Sequence, residues 1–304
     1  MVDSNTQAQT LGFVGLGHMG QPMCAQLVKA GHVVLGFDLA GTRERLPAGA
    51  EPAGSVDELA QTATTMLLSL PDGRASLAVC EQIAQLDKRT TQTMIDLSTI
   101  GIAAARQCAQ ALHGAGIGYV DAPVSGGVAG AAAGTLAIMI GAPRELFDRI
   151  KPLLEPIGKN IFLMGELPGQ GQAMKLLNNY IIATALAATS EAVVFGERVG
   201  LDMAQMLDVL NVSSGRTQAS AHMFPNHVLP GTYDFGFTAG LMTKDISLFL
   251  ESAAEAGVST ELARQATAIW QRFGGETPGA DFTRIHQFVE AASRAQAPAR
   301  TRAG

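Results

Sequence analysis

A glycine-rich turn near the start of the chain has the residue types and spacing to bind a dinucleotide. It reads Gly15-Leu16-Gly17-His18-Met19-Gly20, between a predicted strand at Leu11–Val14 and a predicted helix at Met19–Ala30. The first glycine permits a tight turn, the second lets a pyrophosphate approach the backbone, and the third lets helix and strand pack closely. Free N–H groups at the helix start would bind the phosphates. All six residues are therefore candidate cofactor contacts.

Asp38 is a candidate contact to the ribose of the same cofactor. It ends the second predicted strand, Val33–Phe37, about twenty residues after the turn, where an acidic residue accepts hydrogen bonds from the adenosine ribose. A carboxylate there would repel the 2′-phosphate of NADP. The sequence therefore favours NAD over NADP, although nearby Arg43 weakens that preference.

Two later strand ends point to the same cleft, because ligands of parallel sheets bind beyond the carboxyl ends of the strands. They read Leu70-Pro71-Asp72-Gly73 and Asp96-Leu97-Ser98-Thr99-Ile100. Turn formation and helix capping by Asp72 or Thr99 would explain the same residues equally well. From the residues alone both explanations stay open.

The elements that must position these groups change character along the chain. Up to about residue 164, short apolar strands alternate with helix-length stretches, which is typical of a parallel sheet covered on both faces. After Gly171 the pattern is helical only. We predict an α/β Rossmann domain with a doubly wound, mostly parallel sheet over residues 1–165. An all-α domain follows over residues 166–304, with a frayed tail at 293–304.

Composition excludes several classes of function. The 304 residues are 47% hydrophobic and 16% charged, with a formal net charge of −6, which argues against a nucleic-acid partner. The most apolar segment, 180–196, contains Thr184, Thr189, Ser190 and Glu191 and is predicted to be a buried helix rather than a membrane span. The three cysteines and six histidines lack metal-ligand spacing, so we predict no metal, buried free cysteines and a cytoplasmic location.

Two more segments complete a recognisable pattern. One is Asp121-Ala122-Pro123-Val124-Ser125-Gly126-Gly127, and the other runs from Gly171 through Lys175 to Asn179. With the N-terminal turn and Lys244-Asp245, they form four signatures in one order over roughly residues 10 to 290. In this combination the chain resembles the β-hydroxyacid dehydrogenase family. The resemblance implies a Rossmann domain joined by a long helix to a helical domain, an active site between them, and a homodimer or homotetramer built through the helical domains.

The resemblance also implies roles for individual residues. Lys175 would be the catalytic acid/base and Asn179 its neighbour in the substrate site, while Ser125, Gly126 and Gly127 would bind the substrate carboxylate. The implied cofactor contacts are Leu70, Pro71, Thr99, Lys244 and Phe237. Ala75 stands where some members carry Asn, so that contact is not carried over.

The chemistry of these residue types agrees with the implied roles. Lys175 and Asn179 are four residues apart and share one helix face. Burial, the positive helix N-terminus and a neighbouring cation would favour a neutral amine that can accept a hydroxyl proton. Without the family pattern, a surface lysine and an asparagine bonded to the backbone would be the simpler explanation.

We therefore expect an oxidoreductase that transfers hydride between NAD and a small 3-hydroxy acid or its semialdehyde. An NADPH-dependent semialdehyde or imine reductase of the same fold is one alternative, although many imine reductases carry another residue in place of the lysine. A non-catalytic dinucleotide-binding scaffold is the other. Substrate specificity should come from side chains near Ser125–Gly130 and from the segment Ser213–Phe237.

Overall fold

The computed structural model describes residues 8–295, and within this range nine strands form one sheet. The strands are β1 (Thr10–Val14), β2 (Val33–Phe37), β3 (Glu51–Pro52), β4 (Thr65–Leu68), β5 (Thr93–Asp96), β6 (Gly118–Asp121), β7 (Val124–Ser125), β8 (Leu136–Gly141) and β9 (Gly158–Gly165). Their order is β3-β2-β1-β4-β5-β6-β8-β7, with β9 paired to β8. Pairs from β3 to β6 are parallel, whereas β8 is antiparallel to β6 and β7. The predicted doubly wound, mostly parallel sheet is confirmed.

Helices cover both faces of this sheet. They are α1 (Gly20–Lys29), α2 (Thr42–Arg45), α3 (Val56–Thr62), α4 (Gly73–Ala84), α5 (Ile102–His113), α6 (Gly127–Ala133) and α7 (Arg144–Leu154). One core contains Phe147 from α7 and the other Leu59 from α3. Cys24, Cys80 and Cys108 are free and buried in these cores, as predicted for small apolar side chains. Strands buried from both sides need continuous apolar sequence, which is why the runs were recognisable.

The structure departs from the predicted strands where the sheet is irregular. The apolar sequence of residues 118–124 predicts one strand, but that strand ends at Asp121, and Val124–Ser125 forms a separate strand beside β8. Pro123 lies in the break and has no N–H to donate to a ladder. Strand β3 is two residues long, too short to show any periodicity.

The switch in strand order lies at β1, which has β2 on one side and β4 on the other. Chain connections diverge at such a point and leave a crevice beyond the carboxyl ends of the strands. Gly15 follows β1 and Ser69 follows β4, so the glycine turn is at this crevice. The fold thus places the turn where a doubly wound sheet binds its ligand.

A 29-residue helix, α8 (Gln170–Arg198), leads into the second part of the chain. Contacts divide the chain into two compact units that meet between Leu176 and Leu177, whereas the predicted division lies at 165/166, where β9 ends. The difference is the beginning of α8, which bonds to the sheet unit.

The second unit is helical. Beyond α8 it contains α9 (Met203–Asn211), a π-helical segment (Ala219–Val228), α10 (Ala239–Glu255), α11 (Glu261–Glu276), a short 3₁₀ turn (Phe282–Arg284) and α12 (Ile285–Ala295). Its core surrounds Trp270, which is fully buried and donates its indole N–H to the Ala183 carbonyl at 3.2 Å. The predicted frayed tail begins too early, since residues 293–295 complete α12; residues 296–304 lie outside the described residues.

Helix α8 is long and apolar enough to cross a membrane by length and composition alone. Half of its most apolar stretch is buried inside the protein. Among residues 8–295 it is the one helix with these properties. A mostly apolar helix with a buried face is the pattern of a core helix.

Candidate functional site

The three glycines of the turn meet three different surroundings. A Cβ on Gly15 would lie 2.2 Å from the Ser69 carbonyl oxygen, and φ at Gly15 is +92°. A Cβ on Gly20 would lie 1.9 Å from the Gly15 carbonyl oxygen. A Cβ on Gly17 would meet no atom within 4 Å. Gly15 and Gly20 are therefore required by packing, whereas Gly17 faces open space, which fits a backbone that a pyrophosphate approaches.

Asp38 holds the glycine turn against the end of β2. Its Oδ2 accepts a hydrogen bond from the Leu16 N–H at 2.7 Å, and its Oδ1 accepts one from the Ala40 N–H at 2.8 Å. The Arg45 guanidinium lies 3.6 Å from Oδ2 and forms an ion pair with this carboxylate. Each carboxylate oxygen keeps a second lone pair, so Asp38 can also accept from ribose hydroxyls.

The remaining residues of the turn differ in exposure. Leu16 is 2% exposed, so only its backbone is available to a ligand. His18 is exposed and Met19 is half-buried. Helix α1 starts at Gly20 without a side-chain cap. The Gln21 N–H donates to the Gly17 carbonyl at 3.0 Å and Pro22 has no N–H, so the amides that suit a ligand are those of the turn that ends at Gly20.

The ends of β4 and β5 lie side by side in the parallel sheet. The Leu70 N–H donates to Ser98 Oγ at 2.8 Å and ties the two loops together. Asp72 caps α4 by accepting from the Ala75 N–H at 3.0 Å, so the capping explanation holds for Asp72. Pro71 and Thr99 belong to these same two loops. Their cofactor contacts, and that of Leu70, stay predictions.

The loop after β6 presents backbone amides. Ser125 ends β7, and Gly126 and Gly127 follow with φ of +135° and +64°, in the region that favours glycine. A Cβ on Gly127 would meet nothing within 4 Å. Ser125 is half-buried, so its hydroxyl and the two glycine amides remain available to a carboxylate.

Lys175 and Asn179 lie on the buried face of α8. Lys175 is 8% exposed and Asn179 is 3% exposed. Their separation of four residues places them one above the other on the helix. Lys175 is therefore not a solvated surface lysine. Long cationic side chains are rarely buried to this degree without a specific reason.

Asp121 and Gln172 fix the beginning of α8 on the sheet, a role that the sequence analysis did not assign. Asp121 Oδ1 accepts from the Gly169 N–H and Oδ2 from the Gln172 N–H, both at 2.9 Å. Gln172 Oε1 accepts from the N–H groups of Ile100 and Gly101 at 2.9 and 3.2 Å. Its Nε2 donates to the Ser98 carbonyl at 3.0 Å. Both side chains are fully buried.

Burial raises the pKa of Asp121 to about 6, against the opposing effect of the two N–H donors. Asp96, which pairs with Asp121 in the register of β5 and β6, raises the Asp121 pKa further by charge repulsion. The pKa of Asp96 is itself raised by complete burial. Two carboxylates with raised pKa values therefore lie beneath the loops that carry the candidate site residues.

Asn179 belongs to a polar network on the helices of the second unit. Its Nδ2 donates to Asp245 Oδ2 at 2.6 Å, and its Oδ1 accepts from Asn178 Nδ2 at 3.1 Å. Asp245 is 2% exposed, and its Oδ1 lies 3.2 Å from Lys244 Nζ. The network orients the Asn179 amide and leaves its second N–H for another acceptor.

Of the two other predicted residues of the second unit, Phe237 ends the segment expected to set specificity and Lys244 lies on α10. Phe237 is half-buried and packs edge-on against Phe282, with ring centroids 5.8 Å apart. The segment 213–237 contains the π-helical stretch with Pro225 inside it. The cofactor contacts of Phe237 and Lys244 stay predictions.

Comparison with known proteins covers almost all of the described chain. Residues 10–165 match the family described as the NAD-binding domain of 6-phosphogluconate dehydrogenase. Residues 169–289 match the family described as NAD-binding of NADP-dependent 3-hydroxyisobutyrate dehydrogenase. The two matches meet where β9 gives way to α8.

Individual relatives agree with these matches. The chain is 37% identical over 290 residues to 3-hydroxyisobutyrate dehydrogenase of Pseudomonas aeruginosa, covering 91% of this chain and 97% of that one. It is 35% identical over 274 residues to 2-(hydroxymethyl)glutarate dehydrogenase of Eubacterium barkeri, covering 88% and 90%. A solved structure of Mycobacterium tuberculosis 3-hydroxyisobutyrate dehydrogenase with L-serine has a TM-score of 0.85 and 32% identity, covering 93% and 99%.

Proposed function

Since the chain belongs to the β-hydroxyacid dehydrogenase family and is thus a dehydrogenase of a CH–OH group with NAD as its cofactor, we propose that it oxidises a small 3-hydroxy acid to the semialdehyde, or catalyses the reverse. The observation that carries the proposal is the burial of Lys175 at the beginning of α8, within the unit that contains the glycine turn. That unit supplies both a dinucleotide turn and a candidate acid/base.

The residues around the turn fit the proposed cofactor. The pyrophosphate would lie over Gly17, where open space replaces a side chain, and against the backbone amides of the turn that leads into α1 at Gly20. Asp38 would accept hydrogen bonds from the adenosine ribose, and its charge favours NAD over NADP. NAD, when bound, accepts a hydride from the carbinol carbon of the substrate.

Lys175 is the proposed acid/base. In the oxidation, its neutral amine takes the proton of the substrate hydroxyl while the carbinol carbon loses hydride. In the reduction, the ammonium returns that proton to the developing alkoxide. Burial suits this role, because a desolvated amine exchanges its proton with the substrate rather than with bulk water.

The remaining groups would position the substrate. The Gly126 and Gly127 amides and the Ser125 hydroxyl would bind the carboxylate, since three donors in one loop match its two oxygens. Asn179 would donate the second N–H of its amide to the substrate, because the first N–H is already bonded to Asp245. Fixing the carboxylate and the hydroxyl together orients the carbinol hydrogen for transfer.

The test is turnover by the purified protein. Absorbance of NADH should appear with NAD and members of a panel of 3-hydroxy acids that includes 3-hydroxyisobutyrate, L-serine and 2-(hydroxymethyl)glutarate. Replacing NAD by NADP should lower kcat/KM. Reduction of cyclic imines with NADPH, with no oxidation of any hydroxy acid, would favour an imine reductase. Tight NAD binding without any turnover would favour a non-catalytic scaffold.

We also propose a homodimer or homotetramer formed through the helical unit. Support comes from α8, where Leu177, Ile181 and Phe195 are 43%, 58% and 67% exposed. Large apolar side chains repeated along one helix are typical of a surface that another protein copy covers. Light scattering would give the mass in solution. A cytoplasmic location stays a prediction.

A further inference from the structure

We propose that Asp121 and Gln172 are positioning residues for catalysis, which set the position of Lys175 by fixing the beginning of α8. The inference rests on the proposed role of Lys175. It adds two residues, Asp121 at the end of β6 and Gln172 on α8, that attach the helix start to the sheet and have no binding role described above.

The contacts show how closely the beginning of α8 is determined. Asp121, at the end of β6, accepts from two N–H groups at the start of the helix, those of Gly169 and Gln172. These donors have no carbonyl partner earlier in the helix, so the carboxylate replaces a cap that α8 does not carry itself. Lys175 follows Gln172 within one helical turn.

Gln172 connects the same turn to the next strand. Its side-chain amide bonds to three backbone groups of the loop after β5, accepting from the N–H groups of Ile100 and Gly101 and donating to the Ser98 carbonyl. The amide therefore uses its oxygen twice and its nitrogen once, in one defined orientation. Rotation or translation of the helix start would break these bonds together.

Backbone packing leaves the helix start no room to shift. A Cβ on Gly171 would lie 2.3 Å from the Met139 carbonyl oxygen of β8 and 2.8 Å from Asp121 Oδ2. A Cβ on Gly169, where φ is +94°, would lie 2.9 Å from Ile102. Two glycines thus bring the helix backbone against the sheet, where the two buried side chains hold it.

The arrangement links three parts of the candidate site. Gln172 bonds to the loop that contains Thr99. Asp121 begins the segment that contains Ser125, Gly126 and Gly127. Asp121 and Gln172 together hold the start of α8, the helix that carries Lys175. Catalytic groups need support of this kind, because a displacement of about 1 Å can lower a rate by about a hundredfold.

The test is a double-mutant cycle with chemical rescue. Asp121→Asn should lower kcat by roughly tenfold to a hundredfold and leave KM for NAD near the wild-type value. Lys175→Ala should be inactive, and added methylamine should restore part of its turnover. A free amine is not carried by α8, so Asp121→Asn should not lower the rescued rate.

Two further variants keep the test decisive. Gln172→Leu removes three hydrogen bonds of the helix start and should behave like Asp121→Asn, including in the rescue, and it replaces Asp121→Asn if that variant does not fold. Gln172→Glu keeps both acceptor contacts to Ile100 and Gly101 and should retain more turnover than Gln172→Leu. The control is Asp202→Asn, which removes a charge from the cap of α9 and should leave kcat unchanged.

Each outcome decides the inference. The inference is supported if Asp121→Asn lowers kcat in the wild-type background but does not lower the methylamine-rescued rate of Lys175→Ala. An unchanged kcat, or the same loss with and without the lysine, overturns it, because the residues then act on the site as a whole. Full turnover by the single variant Lys175→Ala, without methylamine, would overturn the proposed role of the lysine, and this inference would fail with it. If Lys175→Ala is inactive but Asp121→Asn leaves kcat unchanged, only this inference fails.

Discussion

Replacement of Gly17 by alanine should weaken NAD binding without weakening the fold. A Cβ at this position meets no atom within 4 Å, and φ at Gly17 lies outside the left-handed region, so the folded chain accepts a methyl group. The alanine also restricts the unfolded chain, which raises the free energy of unfolding by about 0.4–1 kcal/mol. Stability should therefore stay the same or rise slightly.

The alanine at position 17 should instead lower the affinity for NAD. The methyl group would occupy the space where the pyrophosphate approaches the backbone, and a hydrogen bond to a charged group contributes about 1.5–3 kcal/mol. Loss of one such bond raises the dissociation constant of NAD roughly tenfold to a hundredfold. Calorimetric titration with NAD gives that constant, and thermal unfolding without NAD gives the stability.

Two matched variants complete the experiment. Gly20→Ala places a Cβ 1.9 Å from the Gly15 carbonyl oxygen and should lower the unfolding temperature. Gly114→Ala adds a methyl group at the end of α5, where φ is −62° and no atom lies within 4 Å, and should leave NAD binding unchanged. Wild-type affinity for NAD in Gly17→Ala would refute the placement of the pyrophosphate at this turn.

Three further predictions concern charge and association. The Asp121 pKa of about 6 exceeds the unfolded value of 3.8, so the native state binds the proton more tightly and Asp121 lowers stability as pH rises from 4 to 6. The difference in unfolding free energy between wild type and Asp121→Asn should change by about 2 kcal/mol between pH 4 and pH 7 in denaturant titrations, and a constant difference would contradict the shift. Asp245→Asn leaves the buried Asn179 amide without its charged acceptor. The free energy of unfolding should therefore fall by about 1–3 kcal/mol, and KM for the hydroxy acid should rise. Unchanged steady-state kinetics would argue against an oriented Asn179 amide. Phe195→Glu introduces a charge on the exposed apolar face of α8 and should lower the mass measured by light scattering; an unchanged oligomer would place the interface elsewhere.

The sequence predicted those features that arise from local pattern. Strands such as β4 are buried on both sides and read as continuous apolar runs. The purely helical pattern expected after Gly171 agrees with α8, which begins at Gln170. The glycine turn was recognisable because its three glycines fall within six residues, where packing requires Gly15 and Gly20 and open space surrounds Gly17. Local chemistry was sufficient in each case.

Features that depend on distant parts of the chain were missed. Asp121 and Gln172 are 51 residues apart in sequence and meet only because β6 ends beneath the start of α8. In the sequence, Asp121 resembles an ordinary residue at the end of a strand and Gln172 an ordinary helix residue. The available signal in the sequence was Gln172, a polar residue beside Gly171 on the apolar face of a helix start. The π-helical segment was missed because Pro225 interrupts its helical pattern.

Turnover by Lys175→Arg tests the central claim most directly. Arginine keeps the positive charge and much of the length of lysine, but it does not release its proton at accessible pH, so it cannot act as an acid/base. With NAD and the best 3-hydroxy acid of the panel, Lys175→Arg should form NADH as slowly as Lys175→Ala across pH 7 to 10, while binding NAD like the wild type. Substantial turnover by Lys175→Arg would show that Lys175 supplies only charge, and would contradict its assignment as the acid/base.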